Sequence, residues 1–223
     1  TGTNNRDLIT GDSSNNSING ADGTDTIYGL GGDDIIRGGA NSAGDAVGVY
    51  EILDGGEGTD TIYGGAGNDS ILGGAGDYID SLYGEAGNDI VRGGAGNDLI
   101  DGGEDNDTLY GDSGEDFIIG GLGNDTVYGG TEADIIYGDD TLSSDVNGGA
   151  DVLFGGDGND TIYAGYGDDT LAGGANDDTL YGGFGEDTVT FVNAINGVTV
   201  NLATGMAIGE GADTLYDIEN AIG

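Results

Sequence analysis

The sequence predicts an all-β solenoid in which a short unit repeats and stacks into two parallel sheets. A nine-residue pattern, Gly-Gly-x-Gly-x-Asp-x-aliphatic-x, recurs through residues 55–119, and the chain contains 52 Gly in 223 residues, placed in register with that pattern. A unit this short cannot bury an apolar face alone and must stack on its neighbours. The period therefore decides the fold class.

Composition limits the classes of partner. The formal net charge is −40, and the basic residues are Arg6, Arg37 and Arg92. Nucleic-acid binding needs a basic patch, and anionic membrane surfaces repel such a chain. There is no Cys for a disulfide framework, and no apolar run approaches the length of a membrane-spanning helix. We therefore expect no nucleic-acid partner and no membrane insertion.

The nine-residue frame divides the chain into two predicted parts. Residues 1–190 form the repeat region, in which 1–19 are degenerate leading repeats and 38–54 and 138–154 are longer units. Residues 191–223 change period. They contain an alternating segment at 197–202 and one further repeat-like turn at 209–216, so we expect capping strands there.

Two positions of the unit carry most of the information. Position eight is aliphatic in every unit from Ile9 to Val189. Position six is acidic in all units except the second, where Asn16 stands, and it is Glu in one unit, at Glu51. The candidate metal ligands are the position-six residues Asp25, Asp34, Asp60, Asp69, Asp80, Asp89, Asp98, Asp107, Asp116, Asp125, Asp134, Asp151, Asp160, Asp169, Asp178 and Asp187, with Asp7 and Asp213 as weaker candidates.

The spacing predicts how each unit folds. Positions seven to nine form a three-residue strand whose middle side chain points inward. The other six residues form a turn, in which Gly supplies positive φ and the Asn residues at position five tolerate left-handed geometry. Two such strands and two turns make one coil of the solenoid.

Stacking would place each position-six Asp about 4.8 Å from its equivalent in the next coil. At an effective dielectric constant near 20, two such charges repel by about 3.5 kcal/mol. A hard cation between coils removes this repulsion, and the available ligands are Asp carboxylates and turn carbonyls, without His or Cys. Oxygen ligands at adaptable distances favour Ca²⁺ over Mg²⁺. We therefore expect several Ca²⁺ ions, about one for each position-six Asp.

Residues 55–72 resemble the calcium-binding nonapeptide of the repeats-in-toxin (RTX), or haemolysin-type, family, and the resemblance extends over about 2–190. It implies a right-handed parallel β-roll with Ca²⁺ held by the Asp residues and by backbone carbonyls of the Gly-rich turns. It also implies that Asp60 pairs with Asp80 at one edge and Asp69 with Asp89 at the other. Asn16, Glu51 and the units without Gly at position four depart from the family pattern.

The two long units allow two interpretations. Each is either a single half-coil with a bulged loop, or a half-coil with an extra short strand at 45–47 or 140–142. In the first case both loops leave the same edge of the solenoid, where insertions often bind partners.

The outward positions seven and nine are rich in Thr and Tyr, which suits a wetted sheet with stacked side chains. The same surface leaves a glycan, cell-surface or ice ligand open as an alternative function. Some RTX-like ice-binding proteins carry Thr at position two of the turn. Here Thr3 is the only Thr at that position, which argues against an ice-binding face.

The sequence predicts that this segment is not an enzyme. It has no His or Cys that could act as a general base, a nucleophile or a zinc ligand. Its carboxylate pairs fit a glycosidase by residue type alone, but none stands apart from the repeat. The family resemblance implies a calcium-dependent structural module of a larger secreted or surface bacterial protein (an adhesin, toxin or exoenzyme), exported unfolded by type I secretion and folded outside the cell.

Overall fold

The computed structural model describes residues 1–40, 51–140 and 148–223, and these ranges form a parallel β-solenoid of about nine turns without a helix. The predicted all-β solenoid is confirmed. Its strands are β1 (Leu8–Thr10), β2 (Ser17–Asp22), β3 (Thr26–Gly31), β4 (Ile35–Ala40), β5 (Glu51–Glu57), β6 (Thr61–Ala66), β7 (Asp69–Gly74), β8 (Ser81–Ala86), β9 (Ile90–Ala95), β10 (Leu99–Glu104), β11 (Thr108–Ser113), β12 (Phe117–Leu122), β13 (Thr126–Thr131), β14 (Ile135–Asp139), β15 (Val152–Asp157), β16 (Thr161–Tyr166), β17 (Thr170–Ala175), β18 (Thr179–Phe184), β19 (Thr188–Thr190), β20 (Thr199–Asn201), β21 (Met206–Ile208), β22 (Ala212–Tyr216) and β23 (Asn220–Ile222).

Successive strands alternate between two sheets. The first sheet contains the odd-numbered strands from β1 to β19 and ends with β23, whereas the second contains the even-numbered strands from β2 to β18 followed by β22, β21 and β20. Each repeat strand pairs in parallel with the strand two places along the chain, and Ile62 faces Leu82 across one such pair. Equivalent positions of the unit therefore stack along the solenoid axis.

The strands are longer than predicted. A typical strand, β6, has six residues and not three, because it continues from Tyr63 into the two Gly and the residue after them. Ile62 at position eight and Gly64 at position one are both buried, whereas Thr61 and Tyr63 are half-buried. The interior is thus lined alternately by an aliphatic side chain and by bare Gly backbone, and the turn proper is only three residues long.

The core is a single file of aliphatic side chains from the two sheets. Every position-eight residue from Ile27 to Val189 is at most 1% exposed, and Ile18 near the start is 6% exposed. Each half-coil contributes one such side chain, so the core is one layer thick throughout. A core this narrow gives little stabilisation for each ordered residue.

Positions two and four have a positive φ in most of the described units, in Gly and in other residues alike, with Thr3, Asn5, Asp12, Ser14 and Asp139 as exceptions. Gly65 and Gly67 have φ of 112° and 122°, and Leu30, Glu85 and Glu132 adopt 81°, 76° and 73° at the same positions. A side chain in this region costs about 1–2 kcal/mol. This explains two of the three Gly in the repeat.

Asn at position five has a different role from the one predicted. Among the described residues no position-five Asn has a positive φ. Instead the side-chain oxygen accepts the backbone N–H of the next coil, as Asn68 Oδ1 does from Asn88 at 3.1 Å and Asn106 Oδ1 does from Asn124 at 2.7 Å. The Asn residues form a hydrogen-bonded ladder along the turns, and left-handed tolerance was the wrong explanation.

The described strands on either side of the long units keep the alternation between the sheets. β4 of the second sheet precedes residues 41–50 and β5 of the first follows them, and β14 and β15 flank residues 141–147 in the same way. Both long units therefore connect the second sheet to the first. The alternative short strands at 45–47 and at 141–142 lie outside the described residues.

The chain end folds over the last coil. β22 extends the second sheet in parallel, with Leu215 opposite Leu180, and β21 and β20 then add to it in antiparallel order. Val198, Val200 and Leu202 of the alternating segment 197–202 all pack against the core. In the described ranges, no helix has the length and apolar character needed to cross a membrane.

Replacing Leu30 by Gly is expected to raise the free energy of unfolding by about 0.5–1 kcal/mol. It relieves a left-handed backbone at a side chain that is 52% exposed, and part of this gain is offset by the entropy of Gly in the unfolded chain. Urea unfolding in saturating Ca²⁺ measures the change. Leu122→Gly is the control, at a position whose φ is not positive, and it should destabilise the protein. Equal losses of stability in both variants would contradict the explanation that position two favours Gly because of its positive φ.

Candidate metal centre

The position-six side chains form two buried rows, one at each edge of the solenoid. The first row precedes the strands of the first sheet, and the second row precedes those of the second sheet. The row members that are at most 5% exposed are Asp25, Asp34, Glu51, Asp60, Asp69, Asp80, Asp89, Asp98, Asp107, Asp116, Asp125, Asp134, Asp151, Asp160, Asp169, Asp178, Asp187 and Asp213. Charged side chains are rarely buried without partners.

In most rungs, each rung being one position-six side chain, one carboxylate oxygen accepts a hydrogen bond from the neighbouring coil. Asp98 N–H donates to Asp116 Oδ1 at 2.8 Å, and Asp116 N–H donates to Asp134 Oδ1 at 2.9 Å. All rungs point in the same direction along the axis. The pairs implied by the family resemblance are neighbours of this kind, since Asp60 N–H donates to Asp80 Oδ1 at 2.7 Å and Asp69 N–H to Asp89 Oδ1 at 2.8 Å.

The second carboxylate oxygen lacks a protein donor in most rungs. Within the described ranges, a buried Oδ2 without a hydrogen-bond partner occurs in Asp25, Asp34, Asp60, Asp89, Asp98, Asp107, Asp116, Asp125, Asp134, Asp151, Asp160, Asp169, Asp178 and Asp187. A buried carboxylate oxygen without a donor costs free energy, and more so when the group is charged. A regular series of such atoms indicates that the rows are built for a ligand.

The unpartnered oxygen points back into its own Gly-rich turn. A methyl carbon placed on Gly120 at position one would lie 2.6 Å from Asp125 Oδ2, and it would also touch the carbonyl oxygen of Gly138 in the next coil. A carboxylate oxygen and a carbonyl oxygen therefore converge on one point. Position one is Gly because a side chain would fill this cradle; Ala164, fully buried, is the exception in the described chain.

Burial makes these carboxyl groups poor acids. It raises the pKa of Asp89, Asp107, Asp134 and Asp151 to about 8, and the neighbouring acidic side chains add to the effect. Burial likewise raises the pKa of Asp116 to about 7. The rows therefore need either protons or a cation at neutral pH.

The residues present fit a hard cation. In the described part of the chain, no three acidic side chains form a metal-binding cluster by themselves. Backbone carbonyl oxygens of the turns lie beside the row carboxylates. Asp Oδ2 atoms and position-one carbonyls supply a ligand set, and all of its donors are oxygen, as Ca²⁺ prefers. A bound Ca²⁺ would supply the positive charge that these oxygens lack.

The first coil differs from the others. Asp7 Oδ2 accepts hydrogen bonds from Thr3 N at 2.6 Å and from Thr3 Oγ1 at 2.8 Å, and the Thr3 backbone bond is the main reason that the pKa of Asp7 is lowered. In the next unit Asn16 Oδ1 accepts from Asp12 N at 2.9 Å. These turns are satisfied by the chain's own donors, which separates Asp7 from the other predicted ligands.

The rows end in residues from the tail, of which one was predicted. Asp213 Oδ1 accepts from Asp178 N at 3.3 Å and closes the second row. Glu219 Oε2 accepts from Asp187 N at 2.9 Å and closes the first row, and Glu219 was not among the predicted ligands. Glu51 already shows that Glu can occupy position six, and that signal could have identified Glu219.

Comparison with known proteins agrees with this geometry. A family model described as the RTX calcium-binding nonapeptide repeat (4 copies) matches residues 1–36, 51–79, 75–109, 110–141, 145–180 and 163–190. The chain belongs to this family. A comparison with curated proteins finds no match.

In metal-free buffer the protein is expected to gain β structure as the pH falls from about 8 to about 4. The folded-state pKa of Asp151 and its equivalents is raised to about 8, above the unfolded value of about 3.9. Protonation therefore stabilises the metal-free fold most fully below the unfolded value, and this contribution is lost as the pH rises through the folded value.

Far-UV circular dichroism over this pH range, on protein stripped of divalent ions, measures the effect. In saturating Ca²⁺ the dependence should reverse, because protons displace the metal at low pH. A metal-free spectrum that does not change with pH would contradict the burial of ionisable rows.

Proposed function

We propose that this chain is a calcium-dependent folding module of a larger secreted or surface bacterial protein, and that it folds outside the cell on binding several Ca²⁺ ions. The observation that carries the proposal is the repeated Asp Oδ2 that is buried without a protein donor and that converges with a carbonyl oxygen of the next coil on one point beside the position-one Gly. Family membership supports calcium as the ion.

The chain's own residues explain why folding would follow calcium. Without the ion, adjacent carboxylates of a row repel one another, as those around Asp116 do, and the one-layer core offsets little of that cost. With the ion present, binding free energy becomes folding free energy. Weak sites of this kind suit extracellular calcium, which is about millimolar.

The proposed location follows from the same coupling. A chain of net charge −40 would stay unfolded where calcium is scarce and fold where it is abundant. This behaviour fits type I export of an unfolded chain and folding on the far side of the envelope. RTX repeats are typical of secreted proteins, which supports the proposal.

We propose no enzymatic activity for this segment. The chain has no His or Cys, and its buried carboxylates recur in equivalent surroundings from coil to coil. Acid–base catalysis needs titratable groups whose surroundings set their pKa values apart. Any catalytic function would belong to another domain of the parent protein.

Asp116→Asn is expected to remove about one Ca²⁺ and to raise several-fold the calcium concentration at which half the protein is folded. The amide keeps the Oδ1 that accepts from Asp98 N, but it loses the charged oxygen that faces the turn. Native mass spectrometry counts the ions, and limited proteolysis across a calcium series gives the midpoint of folding.

Glu115→Gln is the matched control, because it removes one charge from the adjacent, exposed residue. It should leave the ion count unchanged. Equal effects of the two substitutions would show that calcium responds to net charge alone and would contradict an Asp-row site.

A further inference from the structure

A row of stacked side chains runs along the outer surface of the first sheet at position nine. Arg92 lies over the ring of Tyr110 with 4.0 Å to its centroid, and the rings of Tyr110 and Tyr128, and then of Tyr128 and Phe154, stack at 5.0 Å. We call these four residues the first-sheet aromatic row. The next member of position nine is Ala172, which faces Phe154 across the strand pair. The row therefore ends with one ring face of Phe154 free of a stacked neighbour at this position.

The missing rung opens a cleft and not a flat surface. A cleft of about 190 Å³ lies over Ala172, between Phe154 on one side and Thr190 and Phe191 on the other. Its rim carries Glu210 and the 192–194 segment, and its floor is the bare backbone of position-one and position-two Gly. Neighbouring rungs are about 4.8 Å apart, so the gap has the thickness of one ring.

The wall opposite Phe154 is fixed by hydrogen bonds from the cap. Phe191 N–H donates to the carbonyl of Ile222 at 2.8 Å, and Ala194 N–H donates to the carbonyl of Phe191 at 2.9 Å. Glu210 Oε1 accepts from Ile195 N at 2.7 Å. One oxygen of Glu210 is thus used to hold the wall, and the carboxylate is held at the rim of the cleft.

We propose that this cleft binds the apolar face of a neutral pyranose ring against Phe154. The C–H face of a pyranose matches an aromatic face, while its equatorial hydroxyls need acceptors and donors at the rim. Glu210, the Thr190 hydroxyl and Asn193 supply those groups. The ligand is neutral because Glu210 and the net charge of −40 repel an anionic sugar.

The size of the cleft sets the strength of binding. Pockets that enclose drug-sized ligands hold about 300–1,000 Å³, whereas this cleft holds about 190 Å³ and covers a single ring. A site of this kind binds a monosaccharide with a Kd of about millimolar. This inference rests on the proposed function in one respect: the cleft exists only in the folded protein, which requires bound Ca²⁺.

The second sheet offers a control gap. Its position-nine row stacks Tyr63 on Tyr83 and Tyr137 on Tyr163, and it is interrupted between them by Asp101 and Ile119. Neither Asp101 nor Ile119 is among the residues that line the cleft. A ring at Ile119 adds a Tyr to a position-nine row beside Tyr137, whose ring also contacts Phe117 at 5.5 Å, and does not touch the cleft.

The test is saturation-transfer difference NMR of the calcium-loaded protein with a panel of neutral methyl pyranosides, with methyl glucuronide as the anionic control. We expect transfer to the C–H face of at least one neutral sugar and much weaker transfer to the glucuronide. Ala172→Tyr adds the missing ring and should reduce the signal at least about fivefold. Ile119→Tyr should leave the signal unchanged.

Tyr is the commonest residue at position nine, so both variants should keep the fold, and circular dichroism in Ca²⁺ on the same samples checks this. Absence of transfer from the folded protein to every neutral sugar would overturn the sugar site. An equal signal in the wild type and in Ala172→Tyr would overturn it as well. A protein that stays unfolded in Ca²⁺ would instead contradict the proposed function, so the two failures are distinguishable.

Discussion

The burial of one carboxylate in each half-coil is the constraint on which the other features of this solenoid depend. One oxygen of most row Asp residues accepts a hydrogen bond from the backbone of the neighbouring coil, and this bond adds to the parallel strand pairing that stacks the coils. The other oxygen has no donor in most of the described rungs. A one-layer core cannot offset many buried, unpaired carboxylate oxygens. The fold is therefore stable only when something outside the polypeptide, a proton or a cation, completes each turn.

The repeated Gly residues make this buried carboxylate possible in two separate ways. At positions two and four they supply the positive φ that turns the chain, and other residues replace them at a moderate cost, as Leu30 and Glu85 show. At position one the φ is ordinary, and Gly is needed because a side chain would fill the space between the carboxylate and the carbonyl. The repeat thus contains Gly for conformation and Gly for space, and a substitution has different consequences in the two cases.

Much of this architecture follows from period alone. One aliphatic residue recurs at position eight of each unit, and this predicts the single-file core from Ile27 to Val189. The regular spacing of Asp at position six predicts the two rows. The strand length could not be derived in this way, because Gly at position one has no side chain to reveal that it points inward. The role of Asn at position five was also hidden, since its hydrogen bond goes to a residue in the next coil. Glu219 was missed because the tail interrupts the period before this residue rejoins the row.

The most direct test of calcium-dependent folding is far-UV circular dichroism during a titration with Ca²⁺ at neutral pH, begun in chelator and run in parallel with Mg²⁺. The buried Asp rows predict a coil spectrum in chelator that changes cooperatively to a β spectrum with Ca²⁺. Mg²⁺ should fail to produce it, because its strict octahedral geometry and its retained waters do not suit carboxylate and carbonyl oxygens fixed by the turns. A full β spectrum in chelator at neutral pH would contradict the account, because the solenoid would then tolerate its charged rows without a cation.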